Sequence, residues 1–536
     1  MRKTIILFFA LCFSVQLSAQ GTFSGDLMMN LNFFQRDTNI HAAGNPLYDN
    51  YLSGSEAWLD LRYNINGFTF FARADAFNNS NLYSPAQALS GFGLGAWNIT
   101  KDMKDLSISM GYIYDQIGSG ILFRSYEDRG LLIDNALVGI ELKYKLAKNI
   151  SVKGFSGQQK FLFNRYNPII RGINAEGDFS INKLHLMPGI GAINRTIDQA
   201  SMNSIVANIN GQELATRFVP KYNMYAFTVY NTLTYKNLSW YAEGAYKTDE
   251  AIIENPLTKL LVDKPGNIEY TSINYGQKGL AISLTGKRTE DYIMLTSPNE
   301  ASNVNSGMLN WQPVIAVLRP ERVMSLYTPA SQNISEMAFT GNLLVSPNDV
   351  TNFTFTYTNI NNLNNTKLFR EGYADVYYQG LKSWVLQAGL QYLEYNQAAY
   401  LVSTLKQPID FCFTPFGEIT YKINDNHSIR LEGSYMSTKQ YYGSWIFALL
   451  EYNVAPKFSV SVSDMYDVNP NSGESKPDGF STTPTHYYNI YGAYTKGSNR
   501  FSVAYVKQVA GINCSGGVCR YEPAFSGLRC TVTSSF

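Results

Sequence analysis

The chain has 536 residues, a formal net charge of +1 and only 16 % charged residues, while hydrophobic residues stay at 45 %. The near-zero charge excludes a nucleic-acid protein driven by bulk positive charge. A mean hydropathy of −0.17 argues against a helical membrane protein. The missing charge is replaced by Asn, Ser, Thr, Gly and above all by 38 Tyr and 31 Phe. That mixture suits a sheet with one apolar and one polar face, with aromatics at a boundary between two media.

The first residues read as a signal peptide over 1–20. Arg2 and Lys3 form a basic start, Ile5 to Val15 an apolar stretch too short to span a bilayer, and Ser18 and Ala19 supply small residues at a cleavage site. Leu11 stands before Cys12 where a lipoprotein would want a small residue. No later run is apolar over 18 residues. An exported chain without such a run is soluble, or crosses a membrane as a barrel, the other structure that satisfies its own backbone.

Period-two alternation then recurs along the chain. Ala57, Leu59, Leu61, Tyr63 and Ile65 alternate with Asp60, Arg62 and Asn64. Val138, Ile140, Leu142, Tyr144 and Leu146 alternate with Gly139, Glu141, Lys143 and Lys145, and Trp240, Ala242, Gly244 and Tyr246 alternate with Glu243 and Lys247. Trp384–Tyr392, Glu418–Ile423, Ile429–Met436 and Phe458–Ser463 repeat the pattern. Successive strand side chains point to opposite faces, so each segment has an apolar and a polar face. Two stretches do not parse as strands, Ser201–Pro220 and Ser297–Gln332, the latter with Pro298, Pro313, Pro320 and Pro329. Both read as long loops, extracellular or folded into a lumen.

Connection lengths separate a barrel from a sandwich. Short turns near Gly380–Ser383, Asn424–His427, Val454–Lys457 and Lys496–Asn499 alternate with longer connections such as 396–411, 469–485 and 511–525. Tight periplasmic turns and longer extracellular loops are the outer-membrane pattern. Thr438–Gln440 is a short connection on the loop side. In the last strand Leu528, Cys530, Val532, Ser534 and Phe536 share one face, and the aromatic terminus Phe536 reads as a signal to the barrel assembly machinery. The expected fold is all-β: one closed antiparallel transmembrane barrel over 21–536. A strand of roughly 10 residues plus a connection of similar length predicts about 18–24 strands.

Three stretches, GTFSGDLMMNLNFFQRD (21–37), FRSYEDRGLLIDNALVGIELKY (123–144) and GGVCRYEPAFSGLRCTVTSSF (516–536), resemble a family of Bacteroidota outer-membrane β-barrels, porin-like and of unknown function. The resemblance implies location and fold, and it brings no catalytic residues.

Signals for chemistry are few. His41, His185, His427 and His486 lack metal-ligand spacing, and no HExxH, GxSxG or Walker A loop occurs. The expectation is therefore no enzyme, no metal and no cofactor. Cys412, Cys514, Cys519 and Cys530 remain after signal removal; Cys514 and Cys519 flank a Gly-Gly loop and read as a loop disulfide or unpaired thiols. The densest charge in the first third is Arg124-Ser-Tyr-Glu127-Asp128-Arg129, after Gly118-Ser-Gly120. A solvated loop with internal ion pairs is the commoner outcome for such a run. The alternative folds it into the pore and makes Arg124, Glu127, Asp128 and Arg129 the candidate lumen constriction. Across the whole lumen face acids and bases are mixed, with no bias toward one ion sign.

Two functions fit. The first is a porin-like channel for passive passage of small hydrophilic solutes, in contact with outer-membrane lipid. The second is a barrel without transport, a scaffold or an accessory in surface-protein export or outer-membrane assembly. A plugged lumen would favour the second.

Overall fold

The computed structural model describes residues 21–536 except 85–86, 256–259, 299–306, 330–333, 402–408, 441–442, 471–482 and 516–517. The signal-peptide expectation, 1–20, lies outside the described residues. Twenty-four antiparallel strands form one closed barrel, at the upper end of the expected number. Each strand pairs with its neighbours in sequence. Closure joins the first strand, Thr22–Phe34, to the last, Phe525–Ser535, with Asp26 opposite Ser535 and Phe34 opposite Gly527. Closure removes the unpaired edges that hydrocarbon does not tolerate.

The alternation decides which side chains meet hydrocarbon. Ile140 is 42 % exposed on the outer surface and Glu141 3 % exposed inside; Leu431 and Val460 are each 51 % exposed, and Ser461 is 9 %. Leu61 and Leu386 point outward in the same way, opposite in sense to Arg62 and Gln387. The outer wall is a continuous belt of Val, Ile, Leu, Phe and Tyr. Water does not tolerate an apolar surface of this extent, whereas lipid does. Aromatic pairs mark its edge: Trp384 and Tyr421 lie 4.5 Å apart between ring centroids and Phe458 and Tyr494 4.9 Å, all within two positions of a turn.

Connections on the end that holds Thr22 and Ser535 are tight. Asn66 and Gly67 have φ of 49° and 73°, as a two-residue hairpin matched to strand twist requires. The opposite end carries the long segments 35–52, 114–136, 197–222, 291–335 and 509–524, although 162–163 and 363–366 are short there too. Two readings of these segments change. Part of 201–220 is the helix Gln199–Asn210, not loop. Asp198 caps it by accepting from the backbone N–H of Ala200 at 2.9 Å and Ser201 at 3.1 Å. Met202, Ile205 and Ile209 form its apolar face against Ile197, Ala251 and Leu261. That spacing is helical, so a search for period two passes over it. The connection 511–525 also contains a small hairpin, Gly511–Ser515 with Val518–Glu522.

Candidate functional site

A wide barrel leaves a lumen that must hold water or protein. Here two segments enter it. Residues 114–136 leave the strand Leu106–Ile113 and fold into two short hairpins, Gln116–Ile117 with Phe123–Arg124 and Glu127–Asp128 with Ile133–Asp134. Gly118 and Gly120 turn the chain at φ of 56° and 97°. A Cβ at Gly118 would stand 2.7 Å from the Glu243 carboxylate, so this approach to the wall admits no side chain. Glu243 accepts from the Ser119 backbone N–H at 3.0 Å, the Ser119 hydroxyl at 2.5 Å, Thr228 at 2.9 Å and Tyr241 at 2.5 Å. Ile117, Ile121, Leu122 and Phe123 are 0–2 % exposed against wall residues such as Phe155, Ile170 and Ile193. Burial of each contributes about 1.5–3 kcal/mol. The wall makes room with Gly191, where a Cβ would meet Ile117 at 2.6 Å.

The second segment, of which 291–298 and 307–329 are described, packs on the first through those residues. The Arg124 N–H donates to the Leu309 carbonyl and the Trp311 N–H to the Gly120 carbonyl, both at 3.0 Å. Three buried wall cations hold it. Lys247 donates to the Ile293 carbonyl at 2.9 Å, Arg195 to Leu295 at 2.7 Å and Lys287 to Pro313 at 2.8 Å. Each cation is also paired on the wall, Lys247 and Arg195 with Glu250 at 2.8 Å and Lys287 with Glu336 at 2.7 Å. A buried charge is tolerated when it is paired and its remaining donors find acceptors, and the segment's carbonyls supply one to each cation, although Arg195 Nε is left without a partner among the described residues.

The charged run 124–129 lies inside the barrel, and its members have different surroundings. Arg129 bonds Asp60 of the wall and Glu127 of its own segment, both at 2.8 Å. Glu127 also meets Arg73 of the wall at 2.8 Å. Asp128 accepts from the Leu131 N–H at 3.1 Å and closes a local turn. Arg124 stacks on the rings of Tyr126 and Trp311 at 4.4 and 4.9 Å, and among the described residues it meets no carboxylate. Burial pushes the Tyr126 hydroxyl up to about 12, against the opposing Arg124 charge.

The centre of this cluster is a residue of the wall strand Phe68–Ser84. Arg73 is 1 % exposed and reaches Asp75 at 2.7 Å, Glu127 at 2.8 Å and Asp134 at 2.5 Å. Lys160 also pairs with Asp134. Burial works against ionisation of Asp134, yet Lys160 and Arg73 outweigh it and hold that carboxyl below its usual range. Asp134 and Lys160 had no signal in the sequence, because their partners are remote in the chain.

On the opposite side residues 315–327 pack with Leu47, Tyr48 and Phe525 against wall residues such as Phe369, Trp445 and Phe447, and leave an unfilled space beside them. A cavity of about 760 Å³ lies between residues 318–328 and the strands from Trp384–Asn396 round to Asn499–Gln508. Its wall runs from Gln387 and Arg430, each three positions from a tight turn, to Val506 and Gln508 at the loop end. Arg319 borders it, bonded to Glu371 at 2.8 and 3.0 Å and stacked on Tyr373 at 3.6 Å. A second cavity of about 790 Å³, lined by Arg62, Thr100, Ser109 and Lys143 among others, opens beneath the first segment.

The remaining candidates stay apart. His185 meets Asp178, His427 meets Tyr452 and His486 meets Asp464, each at 2.6 Å and each at a different place. Among the described residues no group of three His, Cys, Asp or Glu is arranged to hold a metal ion. Cys412 is buried and Cys530 half-buried, both free. Cys514 and Cys519 stand opposite each other in backbone register, and their side chains lie outside the described residues. Phe536 exchanges backbone hydrogen bonds with Gly25 at 2.8 and 2.9 Å and sets its ring 6.4 Å from Phe23 on the outer face. A Cβ at Gly25 would strike that ring at 2.4 Å.

A closed barrel with an apolar outer belt, tight turns at one end and lumen-inserted segments is a large β-barrel of the outer-membrane type. No curated protein matches the chain. A family model matches residues 1–536, and the chain belongs to that family, the Family of unknown function (DUF6029). Among solved structures it is similar to the P pilus usher PapC translocation pore, with 9 % identity, 96 % of this chain and 99 % of that chain covered, and a TM-score of 0.45. It is also similar to the ferric-catecholate import receptor Fiu from E. coli K12, with 8 % identity, 97 % and 82 % covered, and a TM-score of 0.40. The siderophore receptor PirA from Pseudomonas aeruginosa matches with 8 % identity, 97 % and 81 % covered, and a TM-score of 0.42.

Proposed function

We infer that the protein is an outer-membrane channel of reduced bore, with its tight turns periplasmic and its long segments extracellular or in the lumen. The inserted segments fill the lumen beside Leu106–Ile113 through Leu280–Glu290 and, through residues 315–327, also pack against the strands from Glu336–Asn348 round to Asn499–Gln508, and small hydrophilic solutes pass through the space left beside residues 318–328. The carrying observation is the cavity of about 760 Å³, whose mixed polar and apolar wall extends from Gln387 and Arg430 near the turns to Gln508 at the loop end. The charged run 124–129 acts as part of the constriction, with Glu127 and Arg129 clamped to the wall and Arg124 clamped to the second segment. Phe536 serves assembly, through the barrel assembly machinery. The reading assigns no catalysis and no cofactor.

The test is single-channel recording of the purified protein in planar bilayers. Discrete current steps are expected, and a thiol reagent of low membrane permeability should reduce them in Ser463→Cys, whose side chain lines the cavity. A silent bilayer would overturn the channel reading. It would support the barrel as an accessory in export or assembly, a role favoured by the chain segments packed inside the lumen.

A further inference from the structure

The lumen wall as a whole mixes both charge signs, but the cavity does not mix them evenly along its depth. Arg430 is a single guanidinium facing three carboxylates, Glu418 at 3.0 Å, Glu432 at 3.5 Å and Glu451 at 3.4 Å. Glu321 reaches the same space from the inserted segment. Its neighbour Arg319 is committed to Glu371, and Lys507 at the loop end is committed to Asp37 at 2.8 Å. Arg322 lies beside Ser325 at 3.3 Å and is the remaining cation on this part of the lining.

Glu321 and Glu432 are 8 % and 9 % exposed, and both line the cavity. Glu321 Oε2, Glu432 Oε1 and Asp375 Oδ1 have no hydrogen-bond donor among the described residues. The other Asp375 oxygen accepts from Gln387, itself a lining residue, at 2.6 Å. Each of these three carboxylates therefore leaves one oxygen without a donor, and of the three only Glu432 shares Arg430. A buried carboxylate oxygen without a donor is costly. In a wet passage a mobile cation satisfies it, and the same excess negative charge repels anions.

We propose that Glu321, Glu432 and Asp375 form a cation filter, so that the passage takes small cations and solutes carrying a cationic group and excludes anions. This rests on the channel reading above and names the class of solute. A local potential of about −1 kT would favour K⁺ over Cl⁻ about sevenfold. Glu418 and Glu451 sustain the field, and Arg430 keeps them from mutual repulsion.

The experiment is the reversal potential of the full-length protein in a planar bilayer under a KCl gradient. The parent should show K⁺ preference. The double variant Glu321→Gln, Glu432→Gln should bring the permeability ratio close to unity while current persists, since the amides keep size and lose charge. Lanthanum ions should reduce the parent's K⁺ current and leave the double variant's current unchanged. If the double variant does not insert, Glu432→Gln alone should still lower the ratio. A parent ratio at or below unity, or a variant with the parent's ratio, overturns the filter and leaves the channel standing. A silent parent overturns both.

Discussion

Arg73 offers the strongest test of how the first segment is held. It is 1 % exposed, and its guanidinium serves two segment carboxylates, Glu127 at 2.8 Å and Asp134 at 2.5 Å, besides Asp75 on its own strand. Arg73→Met keeps length and bulk but removes the charge. Asp75 would then look to Lys160, 3.9 Å away, and Glu127 would rely on Arg129 alone. Removing one partner of a buried ion pair costs about 3–5 kcal/mol. Glu127 retains 23 % exposure and regains water when the arginine goes, which moves the expected cost to the low end, about 3 kcal/mol. If that cost falls on docking of the segment, its undocked population rises about 150-fold. Hydrogen exchange reads this directly. The Ser125 N–H donates to the Asp115 carbonyl and the Asn135 N–H to Tyr126, and both bonds exist only while the segment keeps its fold. Both amides should exchange faster in Arg73→Met. Arg62→Met is the control, because Arg62 faces the lumen against Phe71 at 5.3 Å without a salt bridge to the segment. Unchanged exchange at Ser125 and Asn135 would show that apolar contacts alone hold the segment, and the latch would be refuted.

Facing makes a second prediction. Val462 points to lipid, four positions from the start of its strand, and Val460 lies only two positions from it, closer to the interface. Val462→Lys should cost about 2 kcal/mol or more and Val460→Lys about 1, following the depth dependence of charges on a lipid face. Ser461→Lys should cost less than either, because it faces the lumen opposite Glu451. Chemical unfolding in lipid vesicles measures all three, and equal costs would contradict the facing. A third prediction concerns acid. The Asp134 carboxyl is held below its usual range, so its contribution to docking is complete above about pH 4, the value of a free carboxyl, and is lost as pH falls through the lowered folded value. The protection of the Asn135 amide, its exchange rate relative to that of an unstructured amide at the same pH, should therefore fall only in strong acid and remain flat around neutrality; a fall in protection near neutral pH would mean that another group governs docking.

Local periodicity was enough to reveal the barrel. A strand side chain's facing depends only on whether its position is odd or even, so Leu61 against Arg62 and Val460 against Ser461 could be sorted before any partner was known. The tight turns and the paired aromatics at their edge are local too. The segments inside the barrel could not be read that way, because the contacts that hold them to the wall and to each other join residues remote in the chain. Arg73 meets Glu127 and Asp134, and the Arg124 N–H meets the Leu309 carbonyl. The run 124–129 stood out by its charge density, yet charge density is equally compatible with a solvated loop; burial of the preceding Ile117, Leu122 and Phe123 against wall residues such as Ile193 decided its place. The charge balance of the lumen shows the same division. Counted along the sequence, wall acids and bases cancel. The closed barrel and its inserted segment bring Glu321, Asp375, Glu418 and Glu432 from four separate stretches to one depth, and electrostatic energy depends on that distance rather than on the count.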